Sequence, residues 1–327
     1  MSAAPGVIKL LGEHAVVYGK LSLAAAITLY AHAYSIKRGG DFSIKLKDFN
    51  KEAKLTSEEL DNIYASYRKK KSFEEYARLG YGVALPYATI ASIMARSSSL
   101  DGLEIEISSE IPVQKGYASS AACSLAFALE LAKQTGTSVD SSILEIAREG
   151  DKVIHKSEGA GKIDINTSFY GGIVSYSSEK GARKESIDVQ LNIYIVDTGP
   201  KKSTAETVGH VRELYEKDRQ GTERILNEID ACSRKGIELL KKGDKKGFGK
   251  IMYRNQELLN MLGVSSEGLE LVVKKAKENN LLGAKLSGGG GGGIAIILAD
   301  DDAETRVFSD LGFEVKKVSI DYEGAKS

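Results

Sequence analysis

The stretch Lys285-Leu-Ser-Gly-Gly-Gly-Gly-Gly-Gly-Ile294 sets six glycines in a row between runs that otherwise read as folded structure. Glycine loses more conformational entropy on folding than any other residue, so an ordered run of six requires unusual dihedrals or close backbone approach. A flexible linker carries no such cost and is the default reading of a bare glycine run. Here, however, the run leads into Ile294-Ala-Ile-Ile-Leu298, a short apolar segment of the kind that forms a buried strand, and about thirty residues follow it, too few for a second domain to be linked. The run is therefore expected to be a tight loop entering a strand, with a partner elsewhere in the chain.

The chain has 327 residues, enough to bury a large core and to divide into two lobes. With 42% hydrophobic and 28% charged residues it reads as globular. Lys plus Arg and Asp plus Glu each total 45, so charge gives no reason to expect a nucleic acid or an anionic membrane as partner. Cys123 and Cys232 lie far apart in helix-like sequence, which suits free buried thiols in a reducing compartment. The apolar stretch Leu21 to Ile36 is too short to span a bilayer and contains Ser22, Thr28 and His32. A cytoplasmic enzyme acting on a small molecule is the expectation.

Strand-like segments fall near Val7–Leu11, Phe42–Leu46, Leu103–Ile107, Gly172–Tyr176, Leu191–Val196, Ile294–Leu298 and Phe313–Ile320. Helix-length periodicity covers Ser57–Lys70, Tyr87–Ser97, Ser119–Thr135, Ser141–His155, Thr204–Lys217, Arg224–Lys242, Lys245–Leu262 and Ser266–Asn279. The mixture predicts an α+β fold with a lobe boundary near residue 185, dividing 1–185 from 186–327. There are no repeats, and Lys69–Lys71 reads as a solvated helix end.

Three places gather chemistry. Pro112-Val-Gln-Lys-Gly-Tyr-Ala-Ser-Ser-Ala-Ala122 follows a strand and opens a helix with Ala122, Leu125, Ala126 and Leu129 at helical spacing. Small residues at a helix start leave backbone N–H groups free, and the helix dipole there favours negative charge, which makes a phosphate site. A plain serine N-cap is the alternative. No Gly-Lys-Ser/Thr follows at Walker A spacing. On Ser141–His155, Ile143, Ala147, Gly150 and Ile154 share one face, with Arg148, Lys152 and Lys156 opposite; Asp151 flanks the apolar face beside Leu144 and is either an acid that points into a cleft, where it suits Mg²⁺, or an ordinary helix-surface acid. In Gly159–Gly172, read as a loop passing into a strand, Asp164 is either a base for a substrate hydroxyl or a turn aspartate.

At Ala4-Pro-Gly-Val-Ile-Lys-Leu-Leu-Gly-Glu-His-Ala-Val-Val-Tyr-Gly-Lys20 the sequence resembles the first motif of the GHMP kinases, and Pro112–Ala122 and Lys285–Gly293 resemble the other two, in order and over nearly the whole chain. The Gly-Glu-His-Ala-Val-Val-Tyr-Gly form is similar to the branch that acts on mevalonate. The resemblance implies a two-lobed fold with the active site in the cleft between lobes, an N-terminal nucleotide-binding lobe and a C-terminal lobe carrying the glycine loop. It implies ATP bound by Lys115, Gly116, Tyr117, Ala118, Ser119, Ser120 and Ala121. Mg²⁺ would be held by Ser120 and Asp151, and Asp164 would be catalytic. Glu13 and His14 would orient the hydroxyls and carboxylate of mevalonate, with Thr204 nearby. The glycine loop, Ser287, Gly288, Gly289, Gly290 and Gly291, would pack on the phosphate loop and the substrate.

This chain departs from the family pattern in the first motif, in the phosphate loop and near Asp164, where Ala160-Gly161-Lys162 replaces the usual Pro-Ser-Gly. Val7 stands where the motif has lysine, but residues 7 and 9 of a strand project to one side about 6.6 Å apart, so Lys9 reaches the same pocket. Lys162 is the other candidate for that charge. Lys115 adds a cation to the phosphate loop. The implied reaction is transfer of the γ-phosphoryl group of ATP to mevalonate's 5-hydroxyl in isoprenoid biosynthesis, with a homodimer as the assembly to test. The alternatives are a kinase for phosphomevalonate or for mevalonate's 3-hydroxyl, and a nucleotide sensor without turnover. A dinucleotide-binding oxidoreductase is disfavoured because no helix follows the glycine run at the needed spacing.

Overall fold

The computed structural model describes residues 1–69, 72–113, 115–199, 203–300 and 305–327. Its strands are β1 (Ser2–Leu11), β2 (Ser22–Lys37), β3 (Phe42–Leu46), β4 (Lys51–Leu55), β5 (Leu103–Ser109), β6 (Ile173–Ser177), β7 (Gly181–Lys184), β8 (Ile193–Asp197), β9 (Gly283–Leu286), β10 (Ile294–Leu298) and β11 (Glu314–Val318). The helices are α1 (Ser57–Arg68), α2 (Phe73–Ala77), α3 (Leu85–Met94), α4 (Ser119–Thr135), α5 (Ser141–His155), α6 (Lys162–Tyr170), α7 (Thr204–Lys217), α8 (Arg219–Lys241), α9 (Lys245–Met261), α10 (Glu267–Glu278) and α11 (Arg306–Asp310).

The first sheet is organised by β2, whose 16 residues pair with β1 over Leu23–Ala33 and give their two ends to β6 and β5. Between those two partners the gap is closed by the C-terminal segment, where Ile320 bridges Ile27 and Lys326 bridges Ala3. The second sheet runs β11-β8-β10-β9 and is antiparallel throughout. Side chains alternate along its strands. Ile193, Ile195, Ile294, Ile296 and Leu298 join the hydrophobic cluster that includes Ile8 and Leu10 of β1, whereas Tyr194, Val196, Ala295 and Ile297 join a second cluster with Leu258, Leu259 and Val272 from α9 and α10. That two-sided burial is why Ile294–Leu298 is apolar without interruption.

Two expectations need correction. Gly159–Gly172 is not a loop into a strand: Lys162–Tyr170 is helical, and Asp164 lies in its first turn. The segment is rich in β-branched residues, and tertiary contacts override their weak helix preference. Ile163, Ile165, Thr167 and Ser168 are buried, and Ser168 Oγ donates to the Pro5 carbonyl of β1 at 2.6 Å. Ile154 is 38% exposed rather than on the buried face of α5, while Asp151 is 2% exposed. The expected helix end at Lys69–Lys71 falls partly outside the described residues at 70 and 71.

Candidate active site

The glycine run is a loop joining β9 to β10, not a linker. Ser287 N donates to the Ile294 carbonyl at 3.0 Å, which closes the hairpin. Five of its six glycines take φ between 70° and 112°. Close approach adds to that need: a Cβ on Gly290 would lie 2.1 Å from the Val264 carbonyl oxygen. The loop meets the phosphate-type segment as the resemblance implied, since a Cβ on Gly116 would lie 3.3 Å from the Ser287 carbonyl oxygen. A Cβ on Gly289 would stand 3.1 Å from Thr204 Oγ1 at the start of α7.

β1 delivers the first charged group. Val7 is buried against Ile163 of α6, and Lys9, two residues on, projects to the same side and pairs its ammonium with Asp164 Oδ1. The Lys9 side chain is 15% exposed and that of Asp164 26%. Lys9 N donates to Ser287 Oγ at 2.9 Å, so the glycine hairpin is tied to the same point. Lys162 is exposed at the start of α6, and it is Lys9 that meets the aspartate.

Helices α4 and α6 both begin from a left-handed residue, Ala118 at φ 54° and Gly161 at φ 74°, and neither has a side-chain cap. The serine N-cap alternative is thereby removed, because Ser119 and Ser120 occupy the first turn of α4. An uncapped N-terminus presents backbone donors and the positive end of the helix dipole. Ser120 Oγ lies 2.9 Å from His155 Nε2, and His155 Nε2 lies 3.5 Å from Asp151 Oδ1, which accepts no hydrogen bond. Burial pushes the Asp151 carboxyl above the usual carboxylate range, with His155 opposing. A buried carboxylate oxygen that accepts no hydrogen bond beside a serine hydroxyl fits a hard divalent cation such as Mg²⁺, which a protein commonly holds through one or two such groups together with substrate phosphates. Among the described residues, no group of three or more His, Cys, Asp or Glu gathers to hold a metal by itself.

Glu13 and His14 follow β1 at the turn into the next segment. His14 takes φ 59°, and its Nε2 is 2.9 Å from the Gly289 carbonyl, which as an acceptor requires Nε2 to carry the proton. Burial lowers the His14 pKa. Glu13 is 3% exposed and pairs with the fully buried Lys285. Lys115 does not stand free to meet phosphate: its ammonium pairs with Asp197 at the end of β8. Two residues of this constellation escaped the sequence reading. His155 was signalled by its i, i+4 spacing from Asp151; Lys285 had no local signal, because a lysine in an apolar strand reads as an edge residue.

The sequence matches the family description "GHMP kinases N terminal domain" over residues 84–172 and "GHMP kinases C terminal" over residues 237–317. The chain belongs to the GHMP kinases. Within that family its relatives include the mevalonate kinase of Thermococcus sibiricus, 34% identical over 297 residues spanning 88% of this chain and 85% of that protein. The mevalonate kinase of Pyrococcus horikoshii is 32% identical over 295 residues, with the same coverage. The crystal structure of Methanococcus jannaschii mevalonate kinase superposes with a TM-score of 0.79 at 26% identity, covering 97% of each chain. The mixed α+β architecture is thus that of the GHMP kinases.

Proposed function

We propose that this chain is an ATP-dependent mevalonate kinase that transfers the γ-phosphoryl group to the 5-hydroxyl of (R)-mevalonate. The observation that carries the reading is the Lys9–Asp164 pair beside the uncapped start of α4, with the glycine hairpin bound to the same strand through Ser287. In this reading residues 1–185 form the nucleotide-binding lobe and 186–327 the lobe that supplies the glycine loop.

Phosphoryl transfer needs in-line positioning and charge stabilisation more than covalent chemistry. The substrate oxygen attacks the γ-phosphorus as the bond to the β–γ bridging oxygen breaks. Asp164 orients that hydroxyl and takes its proton. Lys9 holds the Asp164 carboxylate in place through their ion pair before substrate arrives and supplies positive charge as negative charge develops on the transferring group. Backbone N–H groups from Gly116 to Ala121 bind the phosphates, and Ser287–Gly291 bring main chain against both ligands. Asp151 and Ser120 would hold Mg²⁺, which would neutralise phosphate charge. Glu13, His14 and Thr204 select the alcohol. A free cation at Lys115 or Lys162 would suit a substrate already bearing phosphate; Lys115 is engaged by Asp197, which supports the unphosphorylated alcohol instead.

The test is ADP release from Mg²⁺-ATP with mevalonate, 5-phosphomevalonate, homoserine and galactose, the product's phosphate position being read by phosphorus NMR. Turnover of mevalonate alone with phosphate on the primary hydroxyl is expected. A 3-phosphate product, or preference for another alcohol, would overturn the substrate assignment, and tight ATP binding without ADP would favour a sensor.

A further inference from the structure

Lys285 is fully buried, a rare condition for lysine. Its ammonium donates to Glu13 Oε1 and to the Leu286 carbonyl oxygen. Burial lowers its pKa, and Glu13 opposes that. A buried ion pair is seldom a source of net stability, since desolvating two charges offsets their attraction; an apolar pair of similar volume serves a fold as well. Another reason for the pair is therefore needed.

What the pair leaves undone supplies one. Glu13 Oε2 is buried and accepts no hydrogen bond. The residues on either side of Glu13 are held: Gly12 N donates to Asn255 Oδ1 at 3.4 Å, and the His14 ring meets the Gly289 carbonyl at 2.9 Å. Lys285 occupies the other carboxylate oxygen and so sets the side chain's orientation. Buried acceptors are almost always satisfied, and one left open on a residue read as part of the substrate site marks where a donor arrives from outside the protein. An alcohol hydroxyl is such a donor; a substrate carboxylate has no proton to give.

We propose that Lys285 is a positioning residue for the phosphoryl acceptor: it holds Glu13 as an oriented carboxylate whose second oxygen takes a hydrogen bond from a hydroxyl of the alcohol substrate. The inference rests on the reading of the chain as a mevalonate kinase with Glu13 in its substrate site. It also narrows that reading, because Glu13 then recognises a hydroxyl and the substrate carboxylate is bound by other groups.

A double-mutant cycle tests it. Steady-state constants for mevalonate and ATP are measured for the wild-type chain, Glu13→Gln, Lys285→Met and Glu13→Gln/Lys285→Met, with thermal unfolding of each. Each single variant should raise KM for mevalonate about tenfold or more while KM for ATP stays within about twofold, and the double variant should match Glu13→Gln within about twofold. Lys285→Met leaves a buried unpaired carboxylate and is the variant at risk of misfolding. The double variant carries no such charge, so its comparison with Glu13→Gln decides the matter even without the single. A further tenfold loss on adding Lys285→Met to Glu13→Gln would show that Lys285 acts independently of Glu13 and overturn the proposal. So would an unchanged mevalonate KM in Glu13→Gln. A wild-type chain that does not turn over mevalonate would instead remove the substrate reading, and this inference with it.

Discussion

At the residue scale, Lys9 and Asp164 meet where β1 passes the first turn of α6. Replacing Lys9 by methionine keeps the stem and removes the charge that offsets developing negative charge in the transition state. Loss of one such preorganised donor typically costs about 10²–10³ in kcat, so Lys9→Met should lower kcat by about that factor with KM for ATP little changed, as read by ADP release. Lys162→Met should leave kcat within about twofold of wild type. The lysine was legible in the sequence only through strand periodicity, since the motif position itself is Val7; the buried contact of Val7 with Ile163 shows why position 9 faces the same way. His14 gives a pH prediction. Its pKa is lowered mainly by burial, so the folded state prefers the neutral ring. The stability contributed by that preference is present above the unfolded value near 6.5 and is lost as pH falls through the lower folded value, with a slope of at most about 1.4 kcal/mol per pH unit for one proton. Urea unfolding of wild type and His14→Gln should therefore diverge at pH 7 and converge between pH 6.5 and 5. Parallel curves over that range would remove His14 as the cause.

At the element scale, the glycine hairpin and the two uncapped helices do the positioning. Gly290 combines φ 75° with backbone of Val264 pressed against its Cα, while Gly289 is outside the left-handed region and faces the movable threonine hydroxyls of α7. Gly290→Ala should therefore lose about 2 kcal/mol or more, because a left-handed Cβ costs about 1–2 kcal/mol before any clash. Gly289→Ala should cost less stability but disturb KM through Thr204. Thermal unfolding and steady-state kinetics on the pair separate the two effects; equal destabilisation would contradict the hairpin geometry. How well elements could be read follows their physics. Helices Ser119–Thr135, Ser141–His155 and Thr204–Lys217 were legible to the residue, Ser141–His155 by its strong 3.6-residue periodicity and Ser119–Thr135 by an apolar run of helix length that is buried all round. Lys162–Tyr170 has neither, being held by burial of Ile163 and Ile165 and by the Ser168 bond to β1, which are contacts distant in sequence. The long β2 was missed as a strand for a related reason: its alanine-rich first half, buried on both faces, lacks the alternation that marks a half-exposed strand.

On the scale of the whole molecule, the larger hydrophobic cluster crosses from the first sheet to the second, while another lies between the second sheet and helices α9 and α10. The cluster holding Ile8 and Leu10 of β1 continues through Ile193, Ile195, Ile294 and Ile296 of the second sheet to Val318 and Ile320. A lobe boundary near residue 185 is a change of composition in the sequence, and sequence composition says nothing of a core shared across it. The C-terminal segment makes the sharing concrete: Ile320 lies on β2, Lys326 on β1, Asp321 accepts from the Tyr30 hydroxyl, and the Tyr322 hydroxyl bonds the backbone of Val189 at 2.8 and 3.1 Å. Truncation after Val318 removes these together, uncovering Ile27 and leaving the Ala26 carbonyl and the Thr28 N–H of β2 without Asp321 N and the Ser319 carbonyl, their backbone partners. At about 1 kcal/mol for each lost hydrogen bond, more where a buried group is left unpaired, the cost should exceed about 4 kcal/mol, a large share of an ordinary domain's stability. If the core is continuous, the truncated chain should unfold in one transition at much lower urea with all elements affected, because β1 carries Lys9 and is loosened with β2. A second, unshifted transition belonging to residues 186–318 would show instead that the two halves are stable independently and that the catalytic strand is anchored from one side alone.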